Sequence, residues 1–412
     1  MKKILLLSMI SAVFALYSCS SDEGAEFETP EVSVENTDVT RTTFAEDDGK
    51  KALSGAPNVQ ARLLINKVPA DYIAEMTDTL GRANITKEQY AEIQDFAVKL
   101  TAGLSTNKDK YLKCFNWVVN NIKYEYANND PYPVFKNKVG ICQGYANLLF
   151  IMLHSLDIPA FVCNGILNPV GGHAWNYVNC DGKWYVSDPT NNGSWSLALS
   201  SSYSHLLPSS FDVVLSKENG VWVNYSEYNL NICAVESDEE VFVVPFSALG
   251  YQITSFCPTK PLSPKIKQIN IGKNIKSLGD GYMGLLYNAP NVEYVEVDPE
   301  NPTFLSYLGI VYRLDGTDFQ LTYVPAAMKC VELLPMKTMY KNTVCNNSNV
   351  EVIIVSPGTK NIENWAIENC PNLKIAYVPA DTKIASNAFV GTHPDFQIIR
   401  GDYTNIPEIR ED

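Results

Sequence analysis

Histidine is scarce in this chain, with four in 412 residues. No cysteine pair has the C-x-x-C spacing and no H-E-x-x-H run occurs, so the ligand patterns of a zinc site are missing and neither a metal nor another cofactor is expected. A glycine-rich phosphate loop and a G-x-S-x-G elbow are also missing. That sets aside nucleotide-dependent chemistry and serine hydrolysis of the α/β type. Basic charge is short: 32 Lys and Arg face 46 Asp and Glu, for a formal net charge of −14. Without a basic cluster, a nucleic-acid partner is excluded. No apolar run is long enough to cross a bilayer. Hydrophobic residues nevertheless make up 46% of the chain, enough for real cores, and its length suggests two folded domains.

The first residues read as an export signal, with Lys2-Lys3 as the charged region and Ile4 to Leu16 as the apolar one. The stretch closes on Leu16-Tyr17-Ser18-Cys19, which resembles a bacterial lipobox. That resemblance makes residues 1–18 a lipoprotein signal peptide and Cys19 the lipid-modified first residue of the mature chain. The following Ser20-Ser21-Asp22-Glu23 is similar to the surface-export signal of some Gram-negative lipoproteins. It implies a protein exposed on the outer membrane that touches the membrane through its lipid alone. Residues 19–55 are acidic and polar and are expected to form a flexible tether. Ten cysteines in a compartment that permits disulfides leave pairing open, because spacing does not say which would join.

The chemistry gathers at three residues. In Gly140-Ile141-Cys142-Gln143-Gly144-Tyr145, Cys142 precedes apolar positions Tyr145, Leu148, Leu149, Met152, Leu153 and Leu156 at helical spacing. The predicted amphipathic helix stops before Pro159. Cys142 thus opens a helix, where free N–H groups and the positive dipole end favour a thiolate. His154 falls off the apolar stripe and is expected to face solvent. Downstream, His173 to Cys180 and Lys183 to Asp188 flank Asp181-Gly182, a strong hairpin signal. If Cys180 pairs with Lys183, Trp175 lies opposite Asp188, and His173, Trp175 and Asp188 share a face. Asp188 then holds one imidazole nitrogen while the other addresses sulfur, which is the logic of nucleophile, base and orienter.

The runs Gly140 to Ala146, Gly172-His173-Ala174-Trp175-Asn176 and Trp184 to Thr190 resemble the bacterial transglutaminase-like superfamily, and Asn116 to Tyr124 resembles the helix and tyrosine leading into its core. The resemblance covers roughly residues 85 to 235. It implies a papain-like α+β domain in which Cys142 is the nucleophile, His173 the general base and Asp188 the orienter. It implies Tyr124 as an oxyanion donor, beside the backbone N–H of Cys142; the plain alternative for Tyr124 is a buried core tyrosine. Gln143 and Trp175 are candidates for the substrate cleft.

Along the chain, Thr86-Lys87-Glu88-Gln89 reads as a capping box opening a helix, and Thr106 caps a second. The catalytic domain is expected at 56–235, a linker at 236–257 and a repeat domain at 258–412. The repeats show in Ile266, Ile269 and Ile271, then Val292, Val295 and Val297, Val350, Ile353 and Val355, and Leu373, Ala376 and Val378, each spaced i, i+3, i+5. A period in the twenties predicts a leucine-rich-repeat solenoid, with a hairpin insert around Phe304 to Gly316 and a further strand at Val331 to Leu334. Asn369-Cys370-Pro371-Asn372-Leu373 and Ala388-Phe389 resemble the BspA-type repeats of bacterial surface proteins. The expected function is a thiol enzyme acting on amide bonds of a protein or peptide substrate, by hydrolysis rather than cross-linking, with the repeats recognising a host or cell-surface protein or glycan. The competing reading is a non-catalytic adhesion or glycan-binding lipoprotein with an idle triad.

Overall fold

The computed structural model describes residues 43–69, 84–126, 129–212, 214–279, 288–316 and 318–401. The leader, Cys19 and the tether up to residue 42 lie outside the described residues.

Helix α1 spans Pro57–Ile65. Helix α2 (Lys87–Leu100) opens on the expected capping box: Thr86 accepts from the Gln89 N–H, and the Gln89 side chain returns to the Thr86 N–H. Thr106 likewise caps α3 (Asn107–Asn121). After β1 (Lys123–Tyr124) comes the short α4 (Pro131–Asn137), then β2 (Val139–Gly140), parallel to β1. Helix α5 (Cys142–His154) follows at once. It is buried on all sides from Gly144 to Leu153, not along one stripe. The reason lies in its neighbours: residues of α2, α3 and α4 share its core, and Ala160, Val162, Ala174 and Val178 of a sheet close the remaining side. His154 is therefore half-buried instead of facing solvent. Its Nδ1 lies 2.9 Å from the Tyr90 hydroxyl, with the Phe150 ring beside it.

That sheet is antiparallel, in the order β6-β5-β4-β3-β7, with β3 Ala160–Leu167, β4 Gly171–Cys180, β5 Lys183–Asp188, β6 Gly193–Ser196 and β7 Leu206–Phe211. The β4–β5 hairpin has the expected register, Cys180 opposite Lys183 and Asn176 opposite Ser187. Asp181 and Gly182 both take positive φ, 54° and 78°, which suits the tight turn that matches strand twist. The sheet face away from α5, with Phe161, Cys163, Trp175 and Tyr177, joins a second core. That core continues through strands at Val221–Ser226 and Asn229–Val235 into the repeats, as far as Tyr323.

The repeats form a parallel β-solenoid. One ladder runs Val241–Val243, Gln268–Ile271 and Tyr294–Val297. After a three-stranded meander over Phe304–Tyr323 it resumes as Cys330–Glu332, Val352–Ile354, Ile375–Val378 and Gln397–Arg400. Among the described residues these seven strands mark seven turns. All twelve residues of the i, i+3, i+5 sets are buried.

Two expected boundaries give way. Residues 236–257 are not a plain linker: Val241–Val243 is the first rung, paired with Gln268–Ile271, and Ser255–Phe256 pairs with the strand Asn229–Val235. The polar run Glu236 to Glu240 hides this, although Phe242, Val244, Ala248, Ile253 and Phe256 beyond it all enter the core. The tether stops short of 55. Asn270 Nδ2 donates to the Thr43 carbonyl at 2.9 Å, the Gln252 N–H to the Lys51 carbonyl at 3.0 Å, and Leu53 packs on the core. Its partners lie some two hundred residues on, out of reach of local composition.

Candidate active site

The nucleophile position is set by glycine. A Cβ on Gly144 would meet Val134 Cγ2 at 2.9 Å, and one on Gly140 would meet the same methyl at 3.3 Å. Glycines on both sides of Cys142 thus let α4 press against the start of α5. The helix cap at Ile141 carries no side-chain hydrogen bond, so the first-turn N–H groups stay available.

The second wall is β4 and β5. His173 Nε2 lies 2.9 Å from Asp188 Oδ2, and both residues are buried, Asp188 completely. The Cys142 thiol lies beside the imidazole, close enough for each to shift the ionisation of the other. Cys142 is half-buried, with the backbone N–H groups of Ala174 and Gln143 near its sulfur. Burial opposes its ionisation. The neighbouring imidazole with its charge and the two N–H groups together outweigh that and hold the thiol below the usual range. For His173, burial pushes down, but Asp188 and Cys142 raise it to about 9. The two shifts point the same way, towards a thiolate–imidazolium pair. Elsewhere burial is the leading cause: it pushes Cys114 and Cys180 up to about 12 and Cys370 up to about 11.

The structure brings Cys142, His173 and Asp188 together and treats the other expected site residues differently. Trp175 is fully buried and is not a cleft residue. Its ring lies beneath His173, centroids 6.0 Å apart and nearly parallel, and forms the floor that the imidazole rests on. The shared face read from the hairpin is real, but that face turns into the core. Gln143 is half-buried and its amide is engaged along its own helix, with Nε2 donating to Asn147 Oδ1 at 2.9 Å. Tyr124 sits on β1 opposite Gly140, two residues before Cys142, and is 58% exposed, so it is not the buried core tyrosine of the plain alternative. Cys19 lies outside the described residues.

One participant escaped the sequence. Asn191 follows Asp188 in the β5–β6 turn and donates its Nδ2 to Asp188 Oδ2 at 2.8 Å and its backbone N–H to Oδ1 at 3.3 Å. In Asp188-Pro189-Thr190-Asn191-Asn192-Gly193 it looks like any turn residue, and no sequence signal separates it from Asn192.

A family model for the transglutaminase-like superfamily matches residues 94–189, which holds all three of Cys142, His173 and Asp188. No curated protein matches the chain. Among solved structures, a candidate cysteine protease from Cytophaga hutchinsonii is similar at 22% identity over 29% of this chain and 49% of its own, with a TM-score of 0.24. A leucine-rich repeat protein from Eubacterium ventriosum is similar at 19% identity over 34% of this chain and 41% of its own, TM-score 0.24. The pneumococcal vaccine antigen PcpA is similar at 18% identity over 40% of this chain and 47% of its own, TM-score 0.29. In each case the match spans half or less of the solved chain. Likeness at this level fixes neither activity nor substrate. The chain carries a transglutaminase-like domain followed by a β-solenoid.

Proposed function

We propose that the chain is a thiol enzyme that opens amide bonds of proteins or peptides through a thioester on Cys142. The observation that carries this reading is the three-member contact in which Asp188 holds His173 and His173 meets a sulfur whose ionisation is favoured. The shift of Cys142 runs opposite to those of Cys114, Cys180 and Cys370.

The thiolate attacks the amide carbon, and the developing oxyanion needs donors in place; one such donor is typically worth ~10²–10³ in rate. The backbone N–H of Cys142 and the Tyr124 hydroxyl are assigned that role. The C–N bond breaks, His173 gives its proton to the departing amine, and the thioester remains. Water, deprotonated by His173, then attacks to release the acid and restore the thiol. An amine in place of water would give a cross-link, and a glutamine side chain as donor would release ammonia. Hydrolysis is the favoured outcome. The solenoid recognises the protein or glycan partner, and the leader of residues 1–18 before Cys19 supports a lipid anchor on the outer membrane.

The test compares the chain from residue 20 with its Cys142→Ala variant on casein plus a fluorescent amine. Fragmentation, ammonia release and label uptake are followed together. Activity confined to the chain with Cys142 is expected, with fragmentation or ammonia exceeding label uptake. Equal signals from both proteins would sink the enzyme reading.

A further inference from the structure

Asp188 is completely buried, so its carboxylate depends on protein donors. His173 Nε2 supplies one, at 2.9 Å from Oδ2. Asn191 supplies one to each oxygen, its Nδ2 at 2.8 Å from Oδ2 and its backbone N–H at 3.3 Å from Oδ1. The same Nδ2 lies 3.4 Å from His173 Nε2, so amide and imidazole converge on a single oxygen. We propose that Asn191 is the positioning residue of this site: it fixes the plane of the Asp188 carboxylate and, through it, the tautomer and angle with which His173 addresses Cys142. This deepens the catalytic reading above and rests on it.

The chemistry of the contact leaves one arrangement. Were the amide reversed, its oxygen would stand 2.8 Å from a carboxylate oxygen, acceptor against acceptor. Asn191 therefore donates. With Oδ2 accepting from both neighbours, the imidazole proton sits on Nε2, and Nδ1 is free to take the thiol proton. Remove the amide and Oδ2 keeps the imidazole alone, while the carboxylate is pinned only through the backbone N–H on Oδ1. Its plane can then swing, and the imidazole with it.

The turn delivers Asn191 to this place. Asp188 ends β5, Gly193 begins β6, and the two are register partners, so the loop between them is four residues long. Asn192 absorbs the reversal with φ of 54°. A Cβ on Gly193 would lie 2.1 Å from the Trp195 ring, so that ring locks the turn from the β6 side. The amide therefore meets the carboxylate from a constrained backbone.

The experiment uses the chain from residue 20 as wild type, Asn191→Ala, Asn191→Ser and Asn191→Asp. Asn191 lies at the surface, so alanine is tolerated, and thermal melting checks this. Two readouts need no substrate: the pH dependence of Cys142 alkylation by iodoacetamide, and the nitrogen NMR signals of the His173 ring, which report its tautomer once the ring is neutral, above about 9. Alanine is expected to move the alkylation midpoint up towards that of a free thiol and to reduce the Nε2-protonated form. It should lower kcat about tenfold, the scale of losing an outer partner of a site, with KM unchanged. Serine, which keeps a short donor, falls between alanine and wild type. Aspartate, which sets carboxylate against carboxylate, falls below alanine. A wild-type midpoint and a wild-type tautomer in the alanine variant would overturn the proposal. The failure of the catalytic reading looks different: wild type itself would then alkylate as an ordinary thiol and show no Cys142-dependent turnover, while the His173 tautomer would still decide the role of Asn191.

Discussion

At the scale of residues, environment separates one cysteine from the others. Cys114 and Cys180 lie in apolar surroundings that disfavour the thiolate, whereas Cys142 has an imidazole and two backbone N–H groups within reach. The pH dependence follows from the two shifts. Below the depressed value of Cys142 the sulfur is protonated and inert. Above about 9, His173 loses the proton it must hand to the leaving amine. A bell-shaped kcat/KM is expected, with its alkaline limb near 9 and its acid limb below the usual thiol range. An acid limb lying at the usual thiol value would contradict the ion pair. The alkylation rate should rise through the acid limb but not fall at the alkaline one, since the thiolate persists there; a fall in both would point to unfolding.

At the scale of elements, β4 has two tasks, one on each face. Ala174 and Val178 seal the sheet against α5, while Trp175 and Tyr177 fill the core behind it. His173 is held where these tasks meet, opposite Gly165 on β3. A Cβ at Gly165 would stand 2.2 Å from the Leu207 carbonyl oxygen and 2.7 Å from the Trp175 ring. Backbone cannot yield as a side-chain tip does, so β3 or the Trp175 floor must move. Gly165→Ala is expected to cost ~1–3 kcal/mol in stability, the usual range for overpacking. It should also cut the rate of Cys142 alkylation at neutral pH, because His173 rides on the displaced ring. An unchanged melting curve together with wild-type alkylation would show that the contact is slack.

At the scale of the whole molecule, the catalytic sheet and the first solenoid turns share one core. Phe161, Trp175 and Phe211 belong to the same cluster as Phe256, Ile269 and Val295. The last four turns have their own, around Val331, Ile353 and Ala376. Damage in an early turn should therefore reach the catalytic half. Ile269→Ala removes a fully buried side chain and is expected to cost ~2–5 kcal/mol. The temperature at which Cys142 loses its enhanced alkylation should fall together with the global melting midpoint. A catalytic-site midpoint that stays put while the solenoid melts early would mean two independent cores. The strap from Thr43 to Leu53 reinforces the union, with Asp47 at 3.5 Å from Lys273 in the second turn.

Much of this was legible in the sequence because its causes are local. The Asp181-Gly182 turn and its flanking strands set the hairpin register, and the register alone puts His173, Trp175 and Asp188 on one face. The helix start at Cys142 follows from the residues around it, and the buried rungs follow from a spacing that repeats. Other features depend on parts of the chain that meet only after folding. Whether the face bearing Trp175 meets solvent or core is decided by the helix Pro57–Ile65 and by strands beyond residue 220. That α5 is buried all round, that Phe242 begins the solenoid and that residues 43–55 are held all come from partners distant in sequence. Asn191 is the sharpest case: the sequence makes it a turn residue, and only the closing of β6 onto β5 carries its amide to the buried carboxylate. The sequence by itself determined which side chains carry the chemistry and which strand faces they occupy, since those follow from turn type and period. The tertiary structure decided which faces are hidden and which donors reach Asp188, since burial and hydrogen bonding belong to whatever packs alongside.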